Sequence, residues 1–315
     1  MNHLSRFIAR LTQGTALVLA LCAHPAFAAD TYTKTQYPIV LVHGLLGFSS
    51  AFGVDYFYGI QSELERSGAR VFVAQVSPTN SNEVRGEQLL TQVQQILALT
   101  GASKVNLIGH SQGAPTSRYV ASVRPDLVAS VTSVGGVNDG SAVADVVRGI
   151  APPGTVSEAA AAAAAKALVT LIALGSDGSA LPQNGPAALD ALTTAGSRAF
   201  NARYPEGLPT SKCGAGPTVA SNGVHYFSWS GAGQLTNLLD VTDPVLAATS
   251  LAFGGAANDG MVSTCSSHLG YVIKDNYLQN HLDEVNQTLG LVSLFETSPV
   301  TLFRQQANRL KNAGL

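Results

Sequence analysis

The sequence predicts an α/β protein: a mostly parallel central sheet covered by helices on both faces. Two observations carry this. Short apolar, β-branched runs recur at Pro38–Val42, Val105–Ile108 and Val128–Val134, each of a length that suits a buried strand. Between them lie stretches of helical periodicity, so strands alternate with helices, and that order favours parallel pairing through crossover connections.

The chain opens with Arg6 and Arg10, a short apolar run from Gly14 to Ala23, and the small-x-small site Ala26-Phe27-Ala28. This is the pattern of a secretory signal peptide over residues 1–28. The apolar run is too short to span a bilayer, which argues against an N-terminal anchor. The expected product is a secreted, extracellular protein that passes through a periplasm. From Ala29 to Leu315 no linker or charge block divides the chain, and one domain is expected.

Within that domain, Pro38–Val42 reads as a strand ending in the turn His43-Gly44. Ile60–Ser67 reads as a short helix stopped at Gly68, and Ala69–Val76 as a strand. Ser81–Thr100 carries apolar residues at Val84, Leu89, Leu90, Val93, Ile96 and Leu97, with Ser81 or Asn82 as N-cap and Gly101 as stop. Val105–Ile108 is a strand, Ala114–Val123 a helix and Val128–Val134 a strand. Ala142–Leu174 stands apart. It holds the run Ala159–Ala165 followed by Leu168, Val169, Leu171, Ile172 and Leu174, with too few polar residues for an ordinary surface helix. A buried core helix would account for it. Its place in the chain favours a helical lid within about residues 142–175, whose apolar face covers a site in water and meets lipid when open. Gly223–Ser230 alternates as a strand, Asn258-Asp259-Gly260 is a turn, and Leu282–Phe295 reads as a loop and helix packing back on the sheet.

Composition narrows the partners. The formal net charge is −2 with charges scattered, so nothing points to nucleic acid or an acidic polymer. Only 12% of residues are charged and mean hydropathy is +0.19, an apolar excess that a lipid-facing surface would absorb. Cys22 leaves with the signal peptide. Cys213 and Cys265 remain, and in an exported chain two cysteines suggest one disulfide.

Gly109-His110-Ser111-Gln112-Gly113 matches G-x-S-x-G. In a chain this rich in glycine and serine the pattern alone says little. Here a strand leads in and a helix leads out, which is the strand–turn–helix of a nucleophile elbow. A serine hydroxyl needs a base, and the base needs an orienting carboxylate, in the chain order Ser, acid, His. Of the histidines after Ser111, His225 lies in a strand and His268 beside Cys265. His281 lies in the polar loop Asn280-His281-Leu282-Asp283, where a base belongs. Asp259 is the chosen acid, with Asp240 and Asp243 as competitors. The backbone N–H groups of Gln112 and Leu45, the latter in His43-Gly44-Leu45-Leu46-Gly47, are the candidate oxyanion donors. His43 precedes Ser111 and reads as structural.

These residues resemble the secreted, foldase-dependent bacterial true lipases (family I triacylglycerol lipases of the α/β-hydrolase superfamily). The resemblance runs through Tyr37-Pro38-Ile39-Val40-Leu41-Val42-His43-Gly44, Ser111-Gln112-Gly113, Arg118-Tyr119-Val120-Ala121, Arg124-Pro125-Asp126-Leu127 and Ala257-Asn258-Asp259-Gly260. Cys265-Ser266-Ser267-His268-Leu269-Gly270 and Asn280-His281-Leu282-Asp283-Glu284-Val285-Asn286-Gln287 are its most specific blocks. It implies an α/β-hydrolase fold, Asp259 and His281 as the partners of Ser111, and a Cys213–Cys265 bridge. It also implies one structural Ca²⁺, held by the Asp240 and Asp283 carboxylates and the backbone carbonyls of Gln287 and Leu291, an oxygen set that suits calcium. A lipase-specific foldase would assist export of a monomeric enzyme. The expected activity is hydrolysis of long-chain acylglycerols at a lipid–water interface. A polyesterase or short-chain carboxylesterase with the same triad, or a secreted binding protein on the same fold, are the alternatives.

Overall fold

The computed structural model describes residues 30–47, 50–51, 54–152, 154–175 and 181–315. The expected signal peptide lies outside them, as do the side chains of 168–175. Residues Thr31–Leu315 form one compact unit.

Strands β1 (Ile39–Val42), β2 (Val71–Ala74), β3 (Val105–His110), β4 (Val128–Val134), β5 (His225–Gly231) and β6 (Tyr271–Tyr277) build a six-stranded sheet in the order β2-β1-β3-β4-β5-β6. Every neighbouring pair is parallel. All strands therefore end at one edge of the sheet, and the loops that leave this edge build the site.

The near-continuous apolar runs follow from burial on both faces. Ile39 and Leu41 point into a core with Ile60, Leu64, Trp229 and Phe303. Val40 and Val42, one residue out of phase, point into the opposite core with Leu89, Val93 and Val120. Helix α1 (Ile60–Arg66) covers the first face; α2 (Asn82–Thr100) and α3 (Gly113–Val123) cover the second. At the start of α2 the Ser81 side chain accepts the Val84 N–H at 3.3 Å, and Gly101 ends the helix at φ 66°. Val84 itself is exposed. It sits in the first turn, ahead of the point where the helix meets the sheet.

The stretch expected to hold the lid divides into two helices. Helix α4 (Ala142–Val147) stops at Gly149, which takes φ 68°, and α5 (Glu158–Gly175) begins only after Pro152 and Gly154. Proline and left-handed glycine cannot continue a helix. Ala164 of α5 is fully buried against Val143 and Ala252, so small side chains here allow close helix packing.

Helices α6 (Gly185–Leu192), α7 (Thr194–Arg203) and α8 (Asp243–Ser250) escaped the sequence reading because they span only about two to three turns each. Asn184 and Thr193 cap the first two. A four-residue turn, α9 (Thr264–Ser267), precedes β6. The helix expected within Leu282–Phe295 is not there. Asn286, Thr288 and Leu289 take φ of 58°, 57° and 58°, which no α-helix accommodates, and the segment is a loop with short 3₁₀ turns. The terminal helix is α10 (Pro299–Asn312), whose Leu302, Phe303, Ala307 and Leu310 are buried at helical spacing.

Cys213 and Cys265 are bonded, with Cα atoms 4.5 Å apart, and close a separation of 52 residues. By loop-closure entropy a bridge of that span stabilises by up to about 4 kcal/mol. Replacing both cysteines with serine is expected to lower the denaturation midpoint by a corresponding amount in oxidising buffer. An unchanged midpoint would show that the bridge does not constrain the unfolded chain.

Candidate active site

Strand β3 runs into Ser111 and the chain turns at once into α3. The turn is tight: Ser111 takes φ 55°, its N–H donates to Val134 O at 3.0 Å, and a Cβ at Gly109 would lie 2.2 Å from Gly113 O. A Cβ at Gly113 would come within 2.1 Å of Val42 O, so only glycine fits on either side of the serine. A positive φ on a serine is strain, and it is held because strand and helix dictate both flanks.

The structure brings Ser111, His281 and Asp259 together. His281 Nε2 lies 2.9 Å from Ser111 Oγ, and His281 Nδ1 lies 2.8 Å from Asp259 Oδ2. The remaining Asp259 oxygen accepts the Met261 and Val262 N–H groups at 2.8 and 2.7 Å, which fixes the carboxylate plane. The His281 N–H in turn donates to Asp259 O at 2.9 Å, tying the two loops by backbone. The three side chains are buried almost completely, with Ser111 the most open at 8%.

The oxyanion candidates are Leu45, in the loop after β1, and Gln112, the residue after the nucleophile. Gly44 N–H donates to Tyr56 Oη, Leu46 N–H to Pro78 O and Gly47 N–H to Gly44 O. Among the described residues the Leu45 amide is not committed to a protein acceptor. Gly44 O, on the same peptide unit, accepts from the Arg85 guanidinium at 3.3 Å; Arg85 also donates to His43 O and Ser77 O. A charged donor on the carbonyl end of that peptide holds its orientation and polarises the Leu45 N–H at the other end. Gln112 follows the nucleophile, its side chain anchored on Asn80 O at 2.8 Å.

The competitors are otherwise engaged. Asp243 accepts the Thr236 and Asn237 N–H groups and the Asn280 amide. Asp240 accepts both donors of Thr242. His268 bridges Gly214 O and Asp275, and His225 is half-buried, stacked on Phe227. His43 is buried with its Nε2 accepting the Val76 N–H; burial, then the Arg85 charge, lowers its pKa to about 3, so it stays neutral and structural.

Beside Ser111 opens a pocket walled by Leu45, Val137, Val143, Leu189, Leu192 and Val262, almost entirely apolar. A chain with this fold, triad and pocket has known relatives. The α/β hydrolase fold family matches residues 37–276. A triacylglycerol lipase of Vibrio cholerae serotype O1 is 59% identical over the whole of both chains. The chain belongs to the bacterial lipases of the α/β-hydrolase superfamily. A triacylglycerol lipase of Pseudomonas fragi is 46% identical over 91% of this chain and all of its own. The crystal structure of Staphylococcus hyicus lipase, 17% identical, covers 91% of this chain and 99% of its own at a TM-score of 0.58, a likeness of fold.

Four residues of this hydrolase's site were not singled out from sequence: Arg85, Tyr56, His110 and Glu284. Arg85 is a fully buried guanidinium on the inner face of α2, and desolvation lowers its pKa to about 9. A charged residue among core-facing positions was the available signal. Glu284 is also fully buried. Burial, then the Asp259 carboxylate, pushes its pKa well above the usual carboxyl range, and its Oε1 accepts the Gly231 N–H. His110, His281 and Glu284 bring potential ligand atoms within 4.8 Å of one another. His110 lies between Tyr56 Oη and His281 O, and His281 between Asp259 and Ser111, so all four ring nitrogens already have protein partners.

The expected cation ligands were tested on the donors present. Asp240 Oδ2 and Asp283 Oδ1 are buried side-chain oxygens without a hydrogen-bond partner. Burial raises the Asp283 carboxyl to about 7, with Asp243 and Asp240 adding to the rise. Two buried carboxylate oxygens with no donor suit a hard divalent cation. Gln287 and Leu291 follow on the same loop, where the unusual φ angles turn the backbone.

Proposed function

We infer that this chain is a triacylglycerol lipase acting on long-chain acylglycerol esters at a lipid–water surface. The observation that carries the reading is an assembled Ser111–His281–Asp259 triad opening on an apolar pocket. Ser111 Oγ attacks the ester carbonyl as His281 Nε2 takes its proton. Asp259 holds Nδ1–H and stabilises the imidazolium. The Leu45 and Gln112 N–H groups receive the oxyanion. His281 then protonates the departing glycerol oxygen, leaving an acyl-serine. Water, deprotonated by His281, attacks that ester, and collapse releases fatty acid and restores Ser111. The apolar walls hold the acyl chain and keep water from its path.

A short-chain carboxylesterase would use the same steps. The test is hydrolysis rate against triacylglycerols of increasing chain length, as emulsions and below their solubility limit. Higher rates on emulsified long-chain substrates are expected; a preference for dissolved short esters would assign the carboxylesterase reading. The intact triad argues against a non-catalytic binding protein, and labelling of Ser111 by a phosphonate tests that point directly.

We further propose that one calcium ion is held by Asp240, Asp283, Gln287 and Leu291. When bound it supplies charge neutralisation to the loop carrying His281 and takes no part in bond-making. Chelation is expected to lower melting temperature and activity together, and added calcium to restore both. An ion that binds only the folded state adds roughly 2.7 kcal/mol at a hundredfold excess over Kd. Asp240→Ala and Asp283→Ala should mimic chelation and leave chelator little further effect. No change in metal-free protein would return Asp283 to the role of a plain buried carboxyl. Export through the periplasm after cleavage near Ala28, aided by a lipase-specific foldase, and function as a monomer complete the proposal. The N-terminal pattern and the family resemblance support them.

A further inference from the structure

Beside the triad lies a buried chain of hydrogen bonds that the mechanism above does not use. Gly44 N–H donates to Tyr56 Oη at 3.1 Å, and Tyr56 Oη lies 2.7 Å from His110 Nδ1. His110 Nε2 lies 2.9 Å from His281 O. The ends fix the direction of every bond. A backbone N–H can only donate, so Tyr56 accepts there and donates its own proton to His110 Nδ1. A carbonyl can only accept, so His110 Nε2 carries the ring proton. Glu284 Oε2, 3.6 Å from Nε2, is beyond hydrogen-bond distance and leaves the direction unchanged. His110 and Tyr56 are both buried, at 0% and 4% exposure, and the His110 and His281 rings pack with centroids 4.5 Å apart. Burial and the neighbouring His281 hold His110 neutral, as the one-way chain requires.

The two ends of this chain are functional loops that no secondary structure joins. One end is the residue before the Leu45 oxyanion donor. The other is the backbone of the base. Catalysis needs the base and the oxyanion donor at a set separation around Ser111, because misplacement by about 1 Å costs on the order of 100-fold. We propose that Tyr56 and His110 are positioning residues that register the oxyanion loop against the catalytic histidine through the chain Gly44–Tyr56–His110–His281. The idea rests on the ester-hydrolysis reading, and wild-type turnover of a soluble monomeric ester tests that reading separately.

The experiment is a double-mutant cycle of Tyr56→Phe and His110→Leu, assayed on a soluble p-nitrophenyl butyrate so that lipid adsorption plays no part. Tyr56→Phe removes one oxygen and keeps the ring packed edge-on to Phe57. It is expected to lower kcat by roughly 10–100-fold with KM unchanged, since the apolar pocket is untouched and only the charged transition state feels the loop. His110→Leu should fall similarly, and the double variant should be no worse than the poorer single one, because either change breaks the same chain. His110→Gln, whose amide carries one donor and one acceptor, should recover part of the loss, and remains informative if His110→Leu does not fold. Full kcat in Tyr56→Phe, a rise in KM in place of the fall in kcat, or multiplying losses in the double variant would each overturn the proposal.

Discussion

Ser111→Ala is expected to lower kcat for ester hydrolysis on the order of 10⁶-fold while leaving the melting temperature near that of the wild type. The change deletes one oxygen whose hydrogen-bond partner here is His281 Nε2, 2.9 Å away. Without Oγ there is nothing for the imidazole to deprotonate and no acyl-enzyme forms. What remains is transition-state binding by the oxyanion donors and pocket, which elsewhere accounts for about 10³–10⁴ over water. The backbone N–H that holds the elbow, Ser111 to Val134 O, is retained by alanine, so folding should not suffer. Stoichiometric phosphonate labelling of the wild type and none of the variant would identify the nucleophile. Activity within tenfold of wild type would remove Ser111 from the mechanism.

Asp259→Asn tests the acid by its hydrogen-bond sense. One oxygen of Asp259 is pinned by the Met261 and Val262 N–H groups at 2.8 and 2.7 Å, and the other faces His281 Nδ1 at 2.8 Å. Asparagine must keep its oxygen on those two amide donors, because its NH₂ would meet them donor to donor. Its NH₂ then points at Nδ1, which can only accept it. The imidazole is locked with its proton on Nε2 and cannot take one from Ser111. The expected loss in kcat is about 10⁴-fold with KM little changed. Asp259→Glu would not restore the pinned geometry, since the carboxylate moves outward by a methylene. A loss under tenfold in Asp259→Asn would mean that another group, with Asp243 and Asp240 the first to examine, orients the base.

Much of this was legible in the residues because it depends on short stretches of chain. The nucleophile elbow is defined by strand, Gly109, Ser111, Gly113 and helix, contiguous residues whose sterics leave one backbone path. The parallel sheet was legible from the two-sided apolar runs. The oxyanion loop was legible from glycines after the first strand. The base and acid were narrower inferences, resting on chain order and loop chemistry, with Asp240 and Asp243 left open. The short helices α6 to α8 and the terminal helix α10 went unread. The first three are about two to three turns long and stable only where packed, and the last begins beyond a loop that the apolar residues of 282–295 disguised.

By itself the sequence determined the α/β layering, the position of the nucleophile and the class of chemistry, since period, punctuation and a strained turn act within a few residues. The tertiary structure alone decided which carboxylate meets His281, which amide of the 43–47 loop is left for substrate, and how a buried arginine, tyrosine, histidine and glutamate come to surround the triad. Tyr56, His110 and His281 are separated by 54 and 171 residues along the chain. They meet only because parallel strands deliver their loops to one edge of the sheet, where a buried polar group must find a partner or cost free energy.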